Sequence, residues 1–270
     1  MAHSHLLQAD KLVSGYDSKM ILDQVSLTVP SHQISVIIGA NGCGKSTLLK
    51  TLVRLLKPSS GHALLDGKSI HSIPSKQLAR TIGILPQSPI VPEGIRVADL
   101  VGRGRFPHQS IFGTWTKQDY DAVANAMEIM KISDLANRHV DELSGGQRQR
   151  VWIAMALAQQ TDILFLDEPT TFLDIAYQIE ILDLLTDLNK NLGTTIVMVL
   201  HDINLSARYA DYMIAMRDGK LAATGTPSEV VTAPFMKEVF GLECTIIEDP
   251  ISRSPSVIPI GRHHYVEVGS

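Results

Sequence analysis

The feature that most restricts the fold of this chain is a glycine-rich segment, Gly39-Ala40-Asn41-Gly42-Cys43-Gly44-Lys45-Ser46. It follows an apolar run from Ile34 to Ile38 and precedes a helical pattern that starts at Ser46. A strand, a glycine loop and a helix in this order form a phosphate-binding loop, because the loop amides and the helix N-terminus converge on a polyphosphate. In that interpretation Lys45 is the cation on the β- and γ-phosphates, and Ser46 is a hydroxyl ligand of Mg²⁺. The alternative is a glycine turn before an ordinary helix.

Short apolar runs rich in β-branched residues predict buried parallel strands elsewhere in the chain. These runs are Ile34 to Ile38, Ile82 to Leu85, Ile163 to Asp167 and Thr195 to Leu200. Helical patterns, with apolar residues three and four positions apart, separate them at Ser46 to Leu56, Ala176 to Asn191 and Ile203 to Ala210. This alternation predicts a parallel α/β core.

Strands of a different kind precede and follow this alternation. Leu7 to Val13, Val25 to Val29 and Ala63 to Gly67 indicate a small antiparallel sheet beside the core. Tyr212 to Met216 and Lys220 to Ala223 flank an Asp-Gly turn, after which the tail reads as a short helix with mixed strand and loop structure.

The stretch between Arg96 and Gln160 carries helical patterns only, most clearly from Lys117 to Met130 and from Gly146 to Ala158. We therefore expect one domain of 270 residues with a helical subdomain inserted into its core. The expected limits are 1–95 and 160–240 for the core with its β subdomain, 96–159 for the helical subdomain, and 241–270 for a C-terminal extension.

Charge and cysteine content restrict partners and compartment. The formal net charge of −4 lacks the excess of basic residues expected of a protein that coats nucleic acid, so we expect no nucleic-acid partner. No apolar run approaches the roughly 18 residues of a membrane span. The two cysteines, Cys43 and Cys244, suit a reducing compartment. Cys43 either lines the phosphate loop, where an alkylating reagent would reach it, or points into the core as a small apolar side chain.

A second element of chemistry is the strand from Ile163 to Asp167, which ends in the acids Asp167 and Glu168. If this strand lies beside the strand of the phosphate loop, Asp167 can hold Mg²⁺ through water and Glu168 can act as general base on the attacking water. Read alone, two acids at a strand end would be a solvated edge. The phosphate loop favours the catalytic interpretation.

A third element, Leu143-Ser144-Gly145-Gly146-Gln147, lies before a helical pattern. Ser144 and the amides of Gly145, Gly146 and Gln147 at a helix N-terminus make a further anion site, but one without a lysine or a metal ligand. Such a site can close over the γ-phosphate of a nucleotide that another protomer holds. The segment resembles the signature of the ABC nucleotide-binding domains, and this resemblance covers nearly the whole chain.

The resemblance implies an α/β P-loop NTPase fold, an ATPase activity that uses ATP and Mg²⁺, and roles for further residues. Tyr16 would stack on adenine, Gln87 would touch Mg²⁺ and sense a membrane subunit, and Asp174 would link the two active sites of a dimer. His201 would hydrogen-bond the γ-phosphate and steady Glu168. Taken singly, Tyr16, Gln87 and His201 would be structural residues. The nucleotide would also contact the whole loop: Gly39, Ala40, Asn41, Gly42, Cys43, Gly44, Lys45, Ser46 and Thr47.

Two segments, Val101 to His108 and Pro169 to Ile175, are similar to the ferric-siderophore branch of the bacterial ABC importers, whose relatives also carry haem or cobalamin. The first lies where the family docks its membrane helices. Arg103, Arg105 and His108 are therefore expected to contact the permease; the alternative is a solvated loop. Tyr177 departs from the histidine common at its place in the branch.

The resemblance implies an assembly at the cytoplasmic face of the inner membrane. A homodimer of this chain would hold two ATP molecules beneath two membrane permease subunits. An extracytoplasmic substrate-binding protein would deliver the substrate to these permease subunits. Three other kinds of protein are less suitable. A translation-type ABC factor needs two cassettes, and a repair ATPase needs a long coiled coil between Lys45 and Ser144, where the sequence has no room for one. A small-molecule kinase would leave Ser144 to Gln147 unexplained.

Overall fold

The computed structural model describes residues 2–17, 19–87, 89, 93–109, 114–171 and 173–263. Phe172, in the middle of the second branch segment, lies outside the described residues, and so do residues 264–270 of the expected C-terminal extension. The described strands, in chain order, are β1 (Leu7–Tyr16), β2 (Lys19–Val29), β3 (Ile34–Gly39), β4 (Ser60–Leu65), β5 (Lys68–Ser69), β6 (Ile82–Leu85), β7 (Ile163–Asp167), β8 (Thr195–Val199), β9 (Tyr212–Arg217), β10 (Lys220–Gly225), β11 (Cys244–Glu248) and β12 (Pro255–Pro259).

The helices agree closely with the apolar periodicity of the sequence. The described α-helices are α1 (Lys45–Leu52), α2 (Ser75–Thr81), α3 (Val97–Gly102), α4 (Lys117–Ile129), α5 (Gly145–Ala158), α6 (Ile175–Leu192), α7 (Ile203–Tyr209), α8 (Pro227–Val230) and α9 (Ala233–Phe240). Side-chain caps fix several of their starts. Thr116 begins α4, Ser144 begins α5 and Asp174 begins α6, each accepting a backbone N–H bond of the first turn. Among the described residues, no helix is long and apolar enough to cross a membrane.

A six-stranded sheet organises the core in the order β10-β9-β3-β8-β7-β6. All neighbours from β9 to β6 are parallel, whereas β10 is antiparallel to β9. The predicted parallel α/β core is therefore confirmed. A separate antiparallel sheet, β2-β1-β4-β5, is the predicted flanking sheet. Parallel neighbours align the carboxyl ends of β3, β8 and β7 along one edge, where Gly39, Val199 and Asp167 lie.

Alternating side chains of the large sheet belong to two apolar clusters. Ile37, Phe165 and Val197 pack toward α1 and the antiparallel sheet. Val36 and Leu164, on the other face, pack toward helices α3 to α6. Because both faces are covered, these strands are apolar in almost every position, which is why the sequence showed continuous runs rather than alternation.

One predicted neighbour relation is wrong. The strand that ends at Asp167 does not lie beside the strand of the phosphate loop, because β8 is inserted between β3 and β7. Parallel strands join through crossover connections, so sequence order does not fix their order in the sheet. The insertion has a functional consequence: β8 leads directly to His201, which therefore lies between the two ends that carry Lys45 and Glu168.

The described part of 96–159 holds helices and short turns without strands, as the pattern predicted. We keep these limits as the proposed helical subdomain. After β10 the chain forms α8, α9 and a hairpin of β11 and β12. Asn204 on α7 ties this hairpin to the core through hydrogen bonds to the Val257 backbone.

The expectation for Arg105 requires a correction. Its side chain is only 1% exposed, and Nε lies 2.9 Å from Asp119 Oδ1. The guanidinium also donates to Ala158 O and Gln160 Oε1. A buried cation needs such partners, since its desolvation would otherwise be too costly. Arg105 therefore holds α4 to the end of α5 and offers nothing to a membrane partner.

Candidate active site

The phosphate loop is shaped by glycines that no other residue could replace. Gly39 ends β3 with φ 148°, and a methyl group there would lie 2.3 Å from Met216 O and 2.6 Å from Cys43 Sγ. Gly44 takes φ 107° as the residue before α1. The backbone can therefore turn tightly from the strand into the helix, as a loop that binds phosphate through its amides requires.

The lysine of the loop folds over it. Lys45 Nζ donates to Gly39 O at 2.8 Å and to Ala40 O at 3.1 Å. The ammonium is therefore held at the start of the loop, and its role as the cation on the phosphates stays a prediction. Ala40, Asn41 and Gly42 are exposed at the mouth of the loop, whereas Thr47 is buried in the first turn of α1.

The side chains of Ser46, on α1, and Asp167, at the end of β7, form a hydrogen bond with each other. Ser46 Oγ donates to Asp167 Oδ1 at 3.1 Å, and burial raises the pKa of this carboxyl group. The described residues contain no cluster of three or more His, Cys, Asp or Glu side chains that could enclose a metal. One hydroxyl and one carboxylate suit Mg²⁺, which in nucleotide sites takes few protein ligands and completes its shell with phosphates and water.

Glu168 accepts bonds from three different segments. His201 Nε2 lies 2.7 Å from its Oε1, while Gln87 Nε2 and Thr171 Oγ1 donate to its Oε2 at 2.7 and 3.0 Å. Burial tends to raise the pKa of Glu168, but the hydrogen bonds from His201, Thr171 and Gln87 outweigh it and lower the pKa below the ordinary value. The carboxylate is thus ionised at neutral pH, as a general base must be.

The sequence reasoning missed Thr171, although it named the other groups around Glu168. Its signal was a hydroxyl residue three positions after a strand-end acid, a spacing that allows a bond across a tight turn. Glu168 itself has φ 57°, a strained conformation for a residue with a side chain. The strain is consistent with a functional position, because the carboxylate at this turn is held by His201, Gln87 and Thr171.

The segment that resembles the signature begins α5 with a capping box. Ser144 Oγ accepts from Gln147 N at 3.3 Å, and Gln147 Oε1 accepts from Ser144 N at 3.1 Å. Ser144 and Gly145 are exposed, whereas Gly146 is buried. The helix end therefore presents backbone donors to the surface, and neither a lysine nor a carboxylate belongs to the capping box.

The remaining predicted residues are Tyr16, Asp174, Arg103 and His108, and they differ in exposure. Tyr16 ends β1 and is 45% exposed, which leaves its ring free for stacking. Asp174 is exposed and accepts from Tyr177 N at the start of α6. Arg103 is exposed, while His108 is half-buried and bonds to Gln159 O at 2.8 Å. Their roles toward adenine, a second active site and a permease stay predictions.

Cys43 points into the core, so the second of its two interpretations is supported. It is 6% exposed and packs with Leu48 and Leu49, and burial raises the pKa of its thiol. Because the thiolate is the reactive form, we expect iodoacetamide to leave the activity unchanged at neutral pH over an hour. Mass spectrometry of the labelled, folded protein would check this. Rapid labelling of Cys43 that MgATP prevents would contradict it.

Taken together, a phosphate loop, a Ser–Asp pair and an ionised acid held by a histidine define a P-loop nucleoside triphosphatase. A model of the ABC transporter family matches residues 22–171. The chain therefore belongs to the ABC transporter family, within which it is an ATP-binding and ATP-hydrolysing subunit.

Similar proteins agree with this assignment. The achromobactin transport ATP-binding protein CbrD of Dickeya dadantii (strain 3937) is 51% identical over 93% of this chain and 94% of its own. The ferric enterobactin transport ATP-binding protein FepC of Escherichia coli (strain K12) is 50% identical over 95% of this chain and 94% of its own. A bacterial ABC transporter cassette, solved as a dimer, has a TM-score of 0.72 at 27% identity and covers 82% of this chain and 98% of that one.

Proposed function

We propose that this chain is the ATP-hydrolysing subunit that drives an importer for ferric siderophores. The observation that carries the ATPase part is the set of three donors, Gln87, Thr171 and His201, on the one carboxylate of Glu168. The substrate class is supported by the relatives at about 50% identity, whose names refer to achromobactin and to ferric enterobactin. Two different siderophores among them support the class and leave the individual compound open.

The chemistry follows from the placement of these groups. Glu168 takes the proton of a water molecule that attacks the γ-phosphorus of ATP, and His201 keeps the carboxylate oriented. As the new bond forms, the bond from the γ-phosphorus to the β–γ bridging oxygen breaks, and ADP leaves as phosphate is formed. Lys45 and the loop amides neutralise charge on the β- and γ-phosphates. Ser46 and Asp167 would hold Mg²⁺, which supplies further neutralisation of the phosphate oxygens. Gln87 joins this site to the segment that precedes α3.

The active unit is proposed to be a dimer. The signature at Ser144 offers amides without a cation of its own, so it complements a nucleotide that a second copy holds on Lys45. The similar cassette solved as a dimer supports this arrangement. Asp174, exposed at the start of α6, would lie between the two sites.

The proposed location of the chain is the cytoplasmic face of the inner membrane, beneath two permease subunits. An extracytoplasmic binding protein would deliver the substrate to these permease subunits.

A direct test of the proposed function reconstitutes the chain with its permease pair and binding protein in vesicles and follows the uptake of ⁵⁵Fe-labelled catecholate and hydroxamate siderophores. ATP-dependent uptake of at least one is expected. Uptake of haem or cobalamin without any ferric siderophore would contradict the proposed substrate class.

Because Arg105 is buried, it is no longer one of the proposed permease contacts. Its neighbour Phe106 is 64% exposed, and we add it to Arg103 and His108 as a proposed contact. We expect Phe106→Glu to leave the ATPase activity of the isolated subunit within about twofold, and to reduce siderophore uptake by more than about tenfold. An aromatic anchor at an interface typically accounts for about 2 kcal/mol or more of binding. Co-purification with the permease pair and uptake in vesicles would measure the loss.

Ile251→Glu is a suitable control, since Ile251 is 79% exposed and lies in the turn between β11 and β12, a hairpin that packs on α7 and α9. It should co-purify and transport like the wild type. Normal uptake by Phe106→Glu would remove this surface from the proposed docking site. Arg105→Glu is not a useful test, because it would leave Asp119 buried beside a second carboxylate and disturb folding.

A further inference from the structure

The helix of the signature is joined to the segment of the catalytic acid within the same chain. Gln149 Nε2, on the second turn of α5, donates to Pro169 O at 2.8 Å, and Pro169 directly follows Glu168. One residue further, Arg150 bonds to Glu180 on α6. These contacts bring the first turns of α5 and α6 side by side.

Tyr177 makes a third contact between the two helices, and of a different kind. A methyl group at Gly146 would lie 3.3 Å from Tyr177 Cδ1, so the ring lies directly against the signature backbone. The same ring also receives Arg150, one turn further along α5, whose Cζ is 5.6 Å from the ring centroid. The Tyr177 amide is fixed by Asp174, whose Oδ1 accepts at 3.1 Å.

The ring, rather than the hydroxyl, makes these contacts. Among the described residues the Tyr177 hydroxyl has no hydrogen-bond partner, and the side chain remains 41% exposed. The capping box of Ser144 and Gln147 holds the first turn of α5 from within, and Gly145 and Gly146 add no side chains of their own. The ring of Tyr177 supports the same turn from outside the helix, against Gly146.

We propose that Tyr177 is a positioning residue for hydrolysis, which holds Gly146 and with it the signature amides in the geometry that receives the γ-phosphate bound to a second copy. The inference rests on the proposed function, because the signature acts only on ATP held by a partner. Positioning of this kind matters energetically, since a displacement of about 1 Å can cost a factor of about 10² in rate. Tyr177 does not touch the nucleotide, so its loss should lower the turnover number without weakening the first binding of ATP.

The first experiment compares steady-state hydrolysis of Tyr177→Leu, Tyr177→Phe and the control Tyr120→Leu, which removes an exposed tyrosine from α4. We expect Tyr177→Leu to lower kcat about tenfold, with KM and the affinity of the monomer for MgATP unchanged within about twofold. Tyr177→Phe and Tyr120→Leu should match the wild type. Tyr177→Met, which has a similar apolar volume without a flat ring, should show the same decrease in kcat as Tyr177→Leu. It replaces the leucine variant if that variant does not fold.

The second experiment is a pair of double-mutant cycles, which a merely structural role would not satisfy. If Tyr177 acts through the signature, Tyr177→Leu should cost less than about threefold when Ser144→Ala has already disturbed that turn. In the background of Tyr16→Ala, at the opposite end of the nucleotide, it should keep its full effect of about tenfold. Equal losses in both backgrounds would overturn the proposal, and so would a kcat loss that follows a loss of folded protein.

The two levels of inference fail in different ways. A wild-type chain that does not hydrolyse ATP, alone or with its permeases, would contradict the proposed function. Normal hydrolysis by the wild type together with normal kcat in Tyr177→Leu would contradict the role of Tyr177 and leave the proposed function intact.

Discussion

Glu168→Gln is expected to bind ATP with nearly the affinity of the wild type and to hydrolyse it about 10² to 10⁴ times more slowly. The amide keeps the shape of the side chain, so the turn at φ 57° and the contact with His201 can persist. What it loses is the capacity to take a proton. Because the hydrogen bonds around Glu168 keep its pKa low, the wild-type group is a carboxylate at neutral pH, and the variant removes that base without removing bulk.

The variant should also accumulate as a closed dimer. If ATP binding joins two copies and hydrolysis separates them, a site that binds without hydrolysing remains joined. Phosphate release measures the rate, and size-exclusion chromatography with ATP measures the dimer. Glu238→Gln is the matched control, since it makes the same change in an exposed acid on α9 that pairs with Arg217. Near-normal turnover in Glu168→Gln would assign the base to another group.

The local part of the site could be predicted from the sequence because its determinants are local. Gly39 and Gly44 take backbone angles that glycine adopts readily, and the runs that became β3 and β7 are apolar in almost every position because both faces of the sheet are covered. Ser144 with Gln147 three residues later is a capping box that can be recognised without any tertiary information.

The incorrect predictions concern contacts between distant segments. Arg105 looked like a surface residue in a polar loop, but its partners are Asp119, Ala158 and Gln160, up to 55 residues away. The insertion of β8 between β3 and β7 depends on crossover connections that periodicity does not specify. The hydrogen bond between Gln87 and Glu168, 81 residues apart, was not predicted, because the family resemblance gave Gln87 a role only toward Mg²⁺ and a membrane subunit.

Ser144→Arg is expected to reduce hydrolysis by the homodimer to less than about a hundredth, while the isolated monomer binds ATP as before. Removing a single donor of comparable type from a charge-stabilising site costs about 10² to 10³ in rate. Here an arginine would also replace the residue that caps α5 and would extend over the exposed amide of Gly145. The phosphate loop, between β3 and α1, keeps Lys45 and Ser46.

Two mixed dimers show whether the signature acts on the partner's ATP. When Ser144→Arg and Lys45→Ala are in different subunits, one composite site retains both an intact phosphate loop and an intact signature. When one subunit carries both substitutions and the other none, each composite site lacks one half. The shared-site arrangement therefore predicts measurable hydrolysis in the first dimer and far less in the second, with dimers purified through two different tags. If the second dimer were the more active, each subunit would complete its own site, and Ser144 would act on the nucleotide of its own chain.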